Sequence, residues 1–390
     1  MRYVYVRYVV NKEFKPYYLN YNLDVSAVSD DEMLYFGYYI VSPENDKNQV
    51  IYCVPKGDEI GIYCNDNGKI THLDNTKSFN LQQGCMLQWG YTNTNHVYYN
   101  TYNSLSKRYE SIIYDIEKGD KLSTFHLPIY ALSKQEDYFL SLNFDRLTLM
   151  RPDYGYFCND NIKLPSNTED GIWYYDINLK QSSLIITLQQ LIDLKYVETM
   201  DGAQHKVNHI DIAPDGKRFM FLHRWVGKKG RFMRLITCNS DGSNLYILNG
   251  DKMTSHSYWV DDEHIVSFCN TEKYNNAYVI FKDKSSEYNL VTEKLPTNDG
   301  HPSTILNGKW IITDTYPNLG RMSSLLLYNT KQNKLYKLGH FYQPLKYNGQ
   351  KRIDLHPKWN MLGNSVYFES GHTGKRRLYK INLTNIIDGI

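Results

Sequence analysis

VNHIDIAPDGKRFMFLHRW (207–225), TSHSYWVDDEHIVSFCN (254–270), DGHPSTILNGKWIITDTYP (299–317) and DLHPKWNMLGNSVYFESGH (354–372) are four versions of one pattern. Each reads as an apolar run, a tight turn and a second apolar run, which is the signal of a β-hairpin. Asp215-Gly216 and Asn307-Gly308 supply turn residues that accept a positive φ between two strands. A second β-rich hairpin follows each segment: MRLITCNSDGSNLYIL, AYVIFKDKSSEYNLV, SLLLYNTKQNKLYKL and RRLYKINL. Two hairpins make a four-stranded blade, and a repeat of about 40–50 residues is the mark of a propeller.

Working outward, the repeat is strongest over 207–383 and weaker before it. GCMLQWGYTNTNHVYYN (84–100) with YESIIYDIEKGDKLSTF (109–125) repeats the pattern, as does YYIVSPENDKNQVIYCVP (38–55). FLSLNFDRL (139–147) and GIWYYDINLKQSSLII (171–186) make a further blade, broken by a loop over 151–170. The expectation is an all-β, seven-bladed β-propeller forming a single domain over 1–390. The strand 3–10 is expected to complete the last blade. Leu188, Leu191, Ile192 and Leu194 fall at helical spacing, which predicts a short helix near 186–200.

Composition removes several classes of function. Lys plus Arg number 44 against 42 for Asp plus Glu, a net charge of +2, too balanced for the basic footprint of nucleic-acid or anionic-membrane binding. The 36 Tyr suit half-buried strand surfaces. Cys53, Cys64, Cys85, Cys158, Cys238 and Cys269 contain no CxxC pair, so free thiols are expected rather than a zinc knuckle or a disulfide framework. The N-terminus alternates, with no continuous apolar core of a signal peptide, and no run approaches the roughly 20 apolar residues of a membrane span. A cytoplasmic protein is the expectation, or a periplasmic one if a leader was removed. Nucleotide-binding loops, a GxSxG elbow and HExxH do not occur.

The chemistry lies in the register of the repeat. His209, His256, His301 and His356, spaced 47, 45 and 55 residues apart, occupy one position near the start of each first strand. First strands line the central channel, so these four are expected to meet there. Imidazoles suit proton transfer near neutral pH and transition-metal ligation. Asp299 and Asp354 each stand two residues before a histidine and so on the same strand face, as ligands or as groups fixing the tautomer. Arg224, Arg231 and Arg321, with Arg151 from the broken blade, offer bidentate grips for a carboxylate or sulfate. Tyr316 and Tyr258 are candidate proton donors.

The strings NHIDIAPDGKRFMF, SHSYW, DGHPS, DLHPKW and SGHTGKRRLY make 207–383 resemble the oligogalacturonate lyases and related TolB-like propellers. That resemblance implies β-elimination of uronate linkages and a divalent ion, manganese above all. By position it implies His256 as the catalytic histidine with Arg224 or Arg231 beside it. It makes His301 and His356 metal ligands; Asp354 or His256 is the expected further ligand, and His209, Arg321, Tyr316 and Arg151 are the expected substrate contacts. The last blade departs from the family's glutamine and paired histidines: Lys351 and Asp354 replace one glutamine and one histidine. An acidic oligosaccharide is the expected substrate, with neither nucleic acid nor membrane as partner. The alternatives are a propeller that binds a glycan or protein without chemistry, and a metal-dependent hydrolase.

Overall fold

The computed structural model describes residues 15–29, 33–250 and 252–388. Seven antiparallel sheets follow one another along the chain, making a seven-bladed propeller. In blade 4 the strands Gln204–Ile212, Arg218–Gly227, Gly230–Asn239 and Tyr246–Asn249 pair in sequence order. Blade 5 repeats this with Thr254–Trp259, His264–Cys269, Ala277–Lys282 and Tyr288–Leu290. Blade 6 begins at Ser303–Ile305 and Trp310–Asp314, and blade 7 at Lys358–Trp359 and Ser365–Ser370. Alternate strand side chains pack between blades, so aromatics such as Trp89 and Trp310 are buried in clusters that join neighbouring sheets.

The ring is closed by a segment other than the one expected. Val25–Ala27 pairs with Arg377–Asn382 as the outer strand of blade 7, and Tyr17–Leu19 adds a fifth strand to blade 6 at Lys334–Tyr342. The stretch 3–10 lies outside the described residues. After Val25–Ala27 the chain crosses to the axis, where Tyr35 bridges Cys53 and begins blade 1 beside Gln49–Lys56. A buried polar cluster fixes this crossing. Lys358 Nζ donates to the Gly37 carbonyl at 2.6 Å, and Glu369 accepts from the Phe36 and Gly37 amides, each at 3.2 Å. Gly37 has φ +147°, and a Cβ there would lie 2.8 Å from the Gln83 carbonyl oxygen, so only glycine fits.

Two local expectations need correction or sharpening. The stretch 139–147 is a strand only as far as Leu142; Asn143 then caps a helix, Phe144–Met150, by accepting from the Arg146 amide. The helix expected near 186–200 is a single α-helical piece, Leu188–Leu194, with a capping box at Thr187 and Gln190, followed by a 3-10 turn at Glu198–Met200. All six cysteines are free. No helix among the described residues is long and apolar enough to cross a membrane.

Candidate functional site

The four histidines converge at one end of the channel. Ring centroids are 4.0 Å apart for His256 and His301, 4.3 Å for His301 and His356, and 5.9 Å for His209 and His256. Two of them reach the axis through unusual backbone: His209 at φ +54° and His356 at φ +44° are left-handed. Such conformations are costly away from glycine and concentrate at functional sites. In the strand of His209 the pairing slips between Asn208 and Asp211, a bulge that re-aims the ring.

The other side of the ring is phenolic. Tyr38 and Tyr39, from the crossing that begins blade 1, stand among the imidazoles, with the Tyr38 ring 5.3 Å from His209 and 5.2 Å from His356. The Tyr38 hydroxyl donates to His209 Nδ1 at 2.8 Å, and Tyr39 donates to the Ser257 carbonyl at 2.7 Å. Burial holds the Tyr38 phenol well above its ordinary range, so it stays a donor. Burial, then Arg224, depresses His209 far below its ordinary value, so it stays a neutral acceptor. Neither tyrosine was singled out in the sequence, because blade 1 carries no histidine at the repeat position; its His72 lies on the third strand.

Each remaining histidine has its own environment. His256 Nδ1 lies 3.1 Å from Asp299 Oδ1, and Ser255 Oγ bonds the same carboxylate at 2.5 Å. Burial and His301 keep His256 below its usual pKa despite Asp299, so the ring is neutral, and the residue lines an open cleft. His301 Nδ1 lies 2.8 Å from Asp314 Oδ1. Burial opposes charge on His301, but Asp314, aided by Asp354 and Asp299, prevails and raises its pKa. His356 is depressed well below the usual value by burial, then by His301 and Lys358.

This geometry revises the expected pairings. Asp299 serves His256 on the preceding blade, not His301 two residues away, and the carboxylate that orients His301 is Asp314, from the end of the second strand. Asp354 does stay with His356, its Oδ2 3.9 Å from Nε2, but it is also bonded by Arg352 Nε at 2.8 Å. Arg352 reaches on to Asp153 at 2.5 Å, tying the segment after the helix to the site.

The cation and tyrosine candidates divide. Arg151, Arg224 and Tyr316 line an open cleft of about 620 Å³ together with His209, His256 and Asp299. Arg321 is not in it: its guanidinium donates to the carbonyls of Gln343, Pro344 and Tyr347. Arg231 is exposed at the end of its hairpin, opposite Val226. Tyr258 lines a different cavity at the far ends of the first strands, with Asp211 and Lys134.

His301, Asp354 and His356 present one donor atom each within 4.8 Å of one another, all buried. His301 Nε2 and both nitrogens of His356 have no hydrogen-bond partner. An orphaned buried polar atom costs about 1–3 kcal/mol, which a bound cation would offset. Two imidazoles and a carboxylate suit a divalent transition ion better than magnesium.

The same architecture occurs in solved structures. An oligogalacturonate lyase from Vibrio parahaemolyticus superposes with a TM-score of 0.65 at 14% identity, over 94% of this chain and 96% of that one. It shares the fold of the oligogalacturonate lyases. An oligogalacturonate lyase in complex with manganese matches equally, with a TM-score of 0.65 at 14% identity over 94% and 95% of the two chains. The β-propeller domain of the Trilobed protease from Pyrococcus furiosus follows at 0.52 and 12% identity, over 89% and 95%. At these identities the likeness is one of fold, and propellers host many functions. No family description matches the sequence, and neither does any curated protein.

Proposed function

We propose that this protein is a metal-assisted β-eliminating lyase of a uronate-containing oligo- or polysaccharide. The observation that carries the reading is the set of orphaned imidazole nitrogens on His301 and His356 beside Asp354, next to a neutral His256 that opens into the cleft. His301, His356 and Asp354 would hold the divalent ion, manganese by preference. When bound, it would supply positive charge against the sugar carboxylate, favouring the charge that develops when C5 loses its proton.

In this reading His256 is the base. Asp299 accepts from Nδ1–H and so fixes the tautomer, leaving the Nε2 lone pair for the substrate. The C5–H pair becomes the C4=C5 double bond, the C4–O bond breaks, and the leaving oxygen takes a proton. Tyr316, its ring 6.5 Å from that of His256 and 5.8 Å from that of His301, is the candidate donor, its phenol kept protonated first by burial and then by Asp354. Arg224 lines the cleft as a further positive charge, with His209 and Arg151 as substrate contacts; the placements of Arg321 and Arg231 support no role at this cleft.

The test is absorbance at the unsaturated-uronate band, with manganese supplied, over a panel of acidic glycans. His256→Ala should abolish product and retain binding, and His301→Ala with His356→Ala should lose stoichiometric metal. Saturable binding without product would overturn the lyase reading. Arg352 favours the rival, a glycan-binding propeller, because its hold on Asp354 neutralises a ligand carboxylate without any ion.

A further inference from the structure

The mouth of the channel away from the histidines holds a cavity of its own, of about 370 Å³, lined by the crossing into blade 1 and by blades 2 to 6. Tyr39 stands between the two ends. Its ring is 5.4 Å from that of His301, while burial and then Asp211, a wall residue of the far cavity, raise its phenol. Two deeply buried side chains on this wall have hydrogen-bonding capacity that the described residues leave unused. Gln88 is 3% exposed and its amide nitrogen donates to the Met86 carbonyl at 3.2 Å, but its Oε1 accepts nothing. The hydroxyl of Thr304, which is 6% exposed, has no partner either. The Tyr91 and Tyr258 hydroxyls are likewise unpartnered among the described residues, and burial, then Asp211, keeps both phenols protonated. Three carboxylates, Asp211, Asp261 and Asp262, face one ammonium, that of exposed Lys134. Asp261 is engaged by His264 at 3.0 Å, and Asp262 accepts from the Asp215 amide at 2.8 Å. Asp211 has no such side-chain partner. Burial outweighs Lys134 and the backbone of Trp259 and Ile212, and pushes its carboxyl up to about 7.

We propose that this far mouth binds a small organic ammonium ion, with the Asp211 carboxylate as its counter-ion, Gln88 Oε1 and the Thr304 hydroxyl as acceptors, and Tyr91 and Tyr258 as aromatic walls. The unused groups are acceptors or hydroxyls that can accept, so they call for a donor. A cation supplies the donors, offsets the burial of a carboxylate, and is attracted to aromatic faces. The cavity is of small-molecule size. An inorganic ion is a poorer fit, because the trio able to hold a metal among the described residues, His301, Asp354 and His356, lies at the other end. Arg151 and Arg224 stand at that other end too, so the two mouths select ligands of opposite charge. The inference does not rest on the uronate reading.

The full-length chain is titrated calorimetrically with cyclohexylamine and with glucosamine, each compared with its uncharged counterpart, cyclohexanol or glucose, at a pH where both amines are protonated. At least one amine should bind saturably, and tighter than its counterpart by roughly tenfold or more. The amine that shows the larger preference tells whether the cavity takes an apolar or a hydroxylated frame. Asp211→Asn should erase the preference while manganese content per chain stays at the wild-type level, which separates this site from the histidine cluster. Should that variant fail to fold, Gln88→Met carries the test and should weaken amine binding severalfold. No saturable amine binding, equal affinity for charged and uncharged probes, or a preference that survives Asp211→Asn would overturn the site. Calcium chloride is titrated in parallel; calcium that binds more tightly and displaces the amine would overturn the assignment to an organic cation.

Discussion

Asp314 orients His301: its Oδ1 lies 2.8 Å from both the ring Nδ1 and the backbone nitrogen of that residue. Its second oxygen accepts from the His356 amide at 3.1 Å, so one carboxylate positions both imidazoles of the candidate metal cluster. Partners of this kind fix the tautomer and the ring orientation of a metal-binding histidine. Asp314→Asn should therefore weaken manganese binding by about 10–100-fold in a direct titration. Unchanged affinity would remove the ion from these histidines.

Arg352 acts in the opposite direction. Its guanidinium bonds Asp354 and sets positive charge beside the cluster, competing with any cation. Arg352→Met should raise manganese affinity several-fold, read in the same titration. A fall would mean that Arg352 holds Asp354 in place for the ion.

Tyr38 is both a filler of the axis and a hydrogen-bond donor, and two substitutions separate the roles. Tyr38→Phe loses the bond to His209 at a cost of about 0.5–1.5 kcal/mol in urea unfolding. Tyr38→Ala also empties the centre of the ring and should cost about 3–5 kcal/mol, by analogy with other buried aromatics. Equal losses for the two would show that the hydroxyl carries the whole effect.

Acid should unfold the ring earlier than its carboxylates alone require. Burial pushes His205 and His372 down to about 4, against roughly 6.5 in an unfolded chain. Because the folded values lie below the unfolded one, the stability contribution is complete above pH 6.5 and is lost as pH falls from there towards 4. The melting temperature should drop through that window. His372→Phe, which keeps an aromatic ring against Phe341 and Tyr379, should flatten part of the drop. An unchanged slope would place the acid sensitivity on other groups.

Gly300, immediately before His301, admits no side chain. A Cβ there would come within 2.0 Å of the Asp314 carbonyl oxygen. Gly300→Ala should cost about 1–3 kcal/mol of stability and displace His301, lowering metal content as well.

The repeat made the propeller and the four-histidine register legible in the sequence, because both depend on periodicity along one chain. Strand alternation and turn chemistry are local, so VNHIDIAPDG and DGHPSTILNG announce their hairpins without help from the rest of the molecule. The partners of those histidines were not legible in the same way. Asp299 crosses to the neighbouring blade's His256, and Asp314 returns along its own hairpin to His301, contacts that depend on how blades stack. Tyr38 and Tyr39 reach the imidazoles from more than 160 residues away in the chain. The closing strand Val25–Ala27, the facing of Lys206 by Arg224, and the diversion of Arg321 to three carbonyls are likewise products of packing. Sequence spacing sets which residues share a strand face; only the closed ring decides which faces meet at its axis.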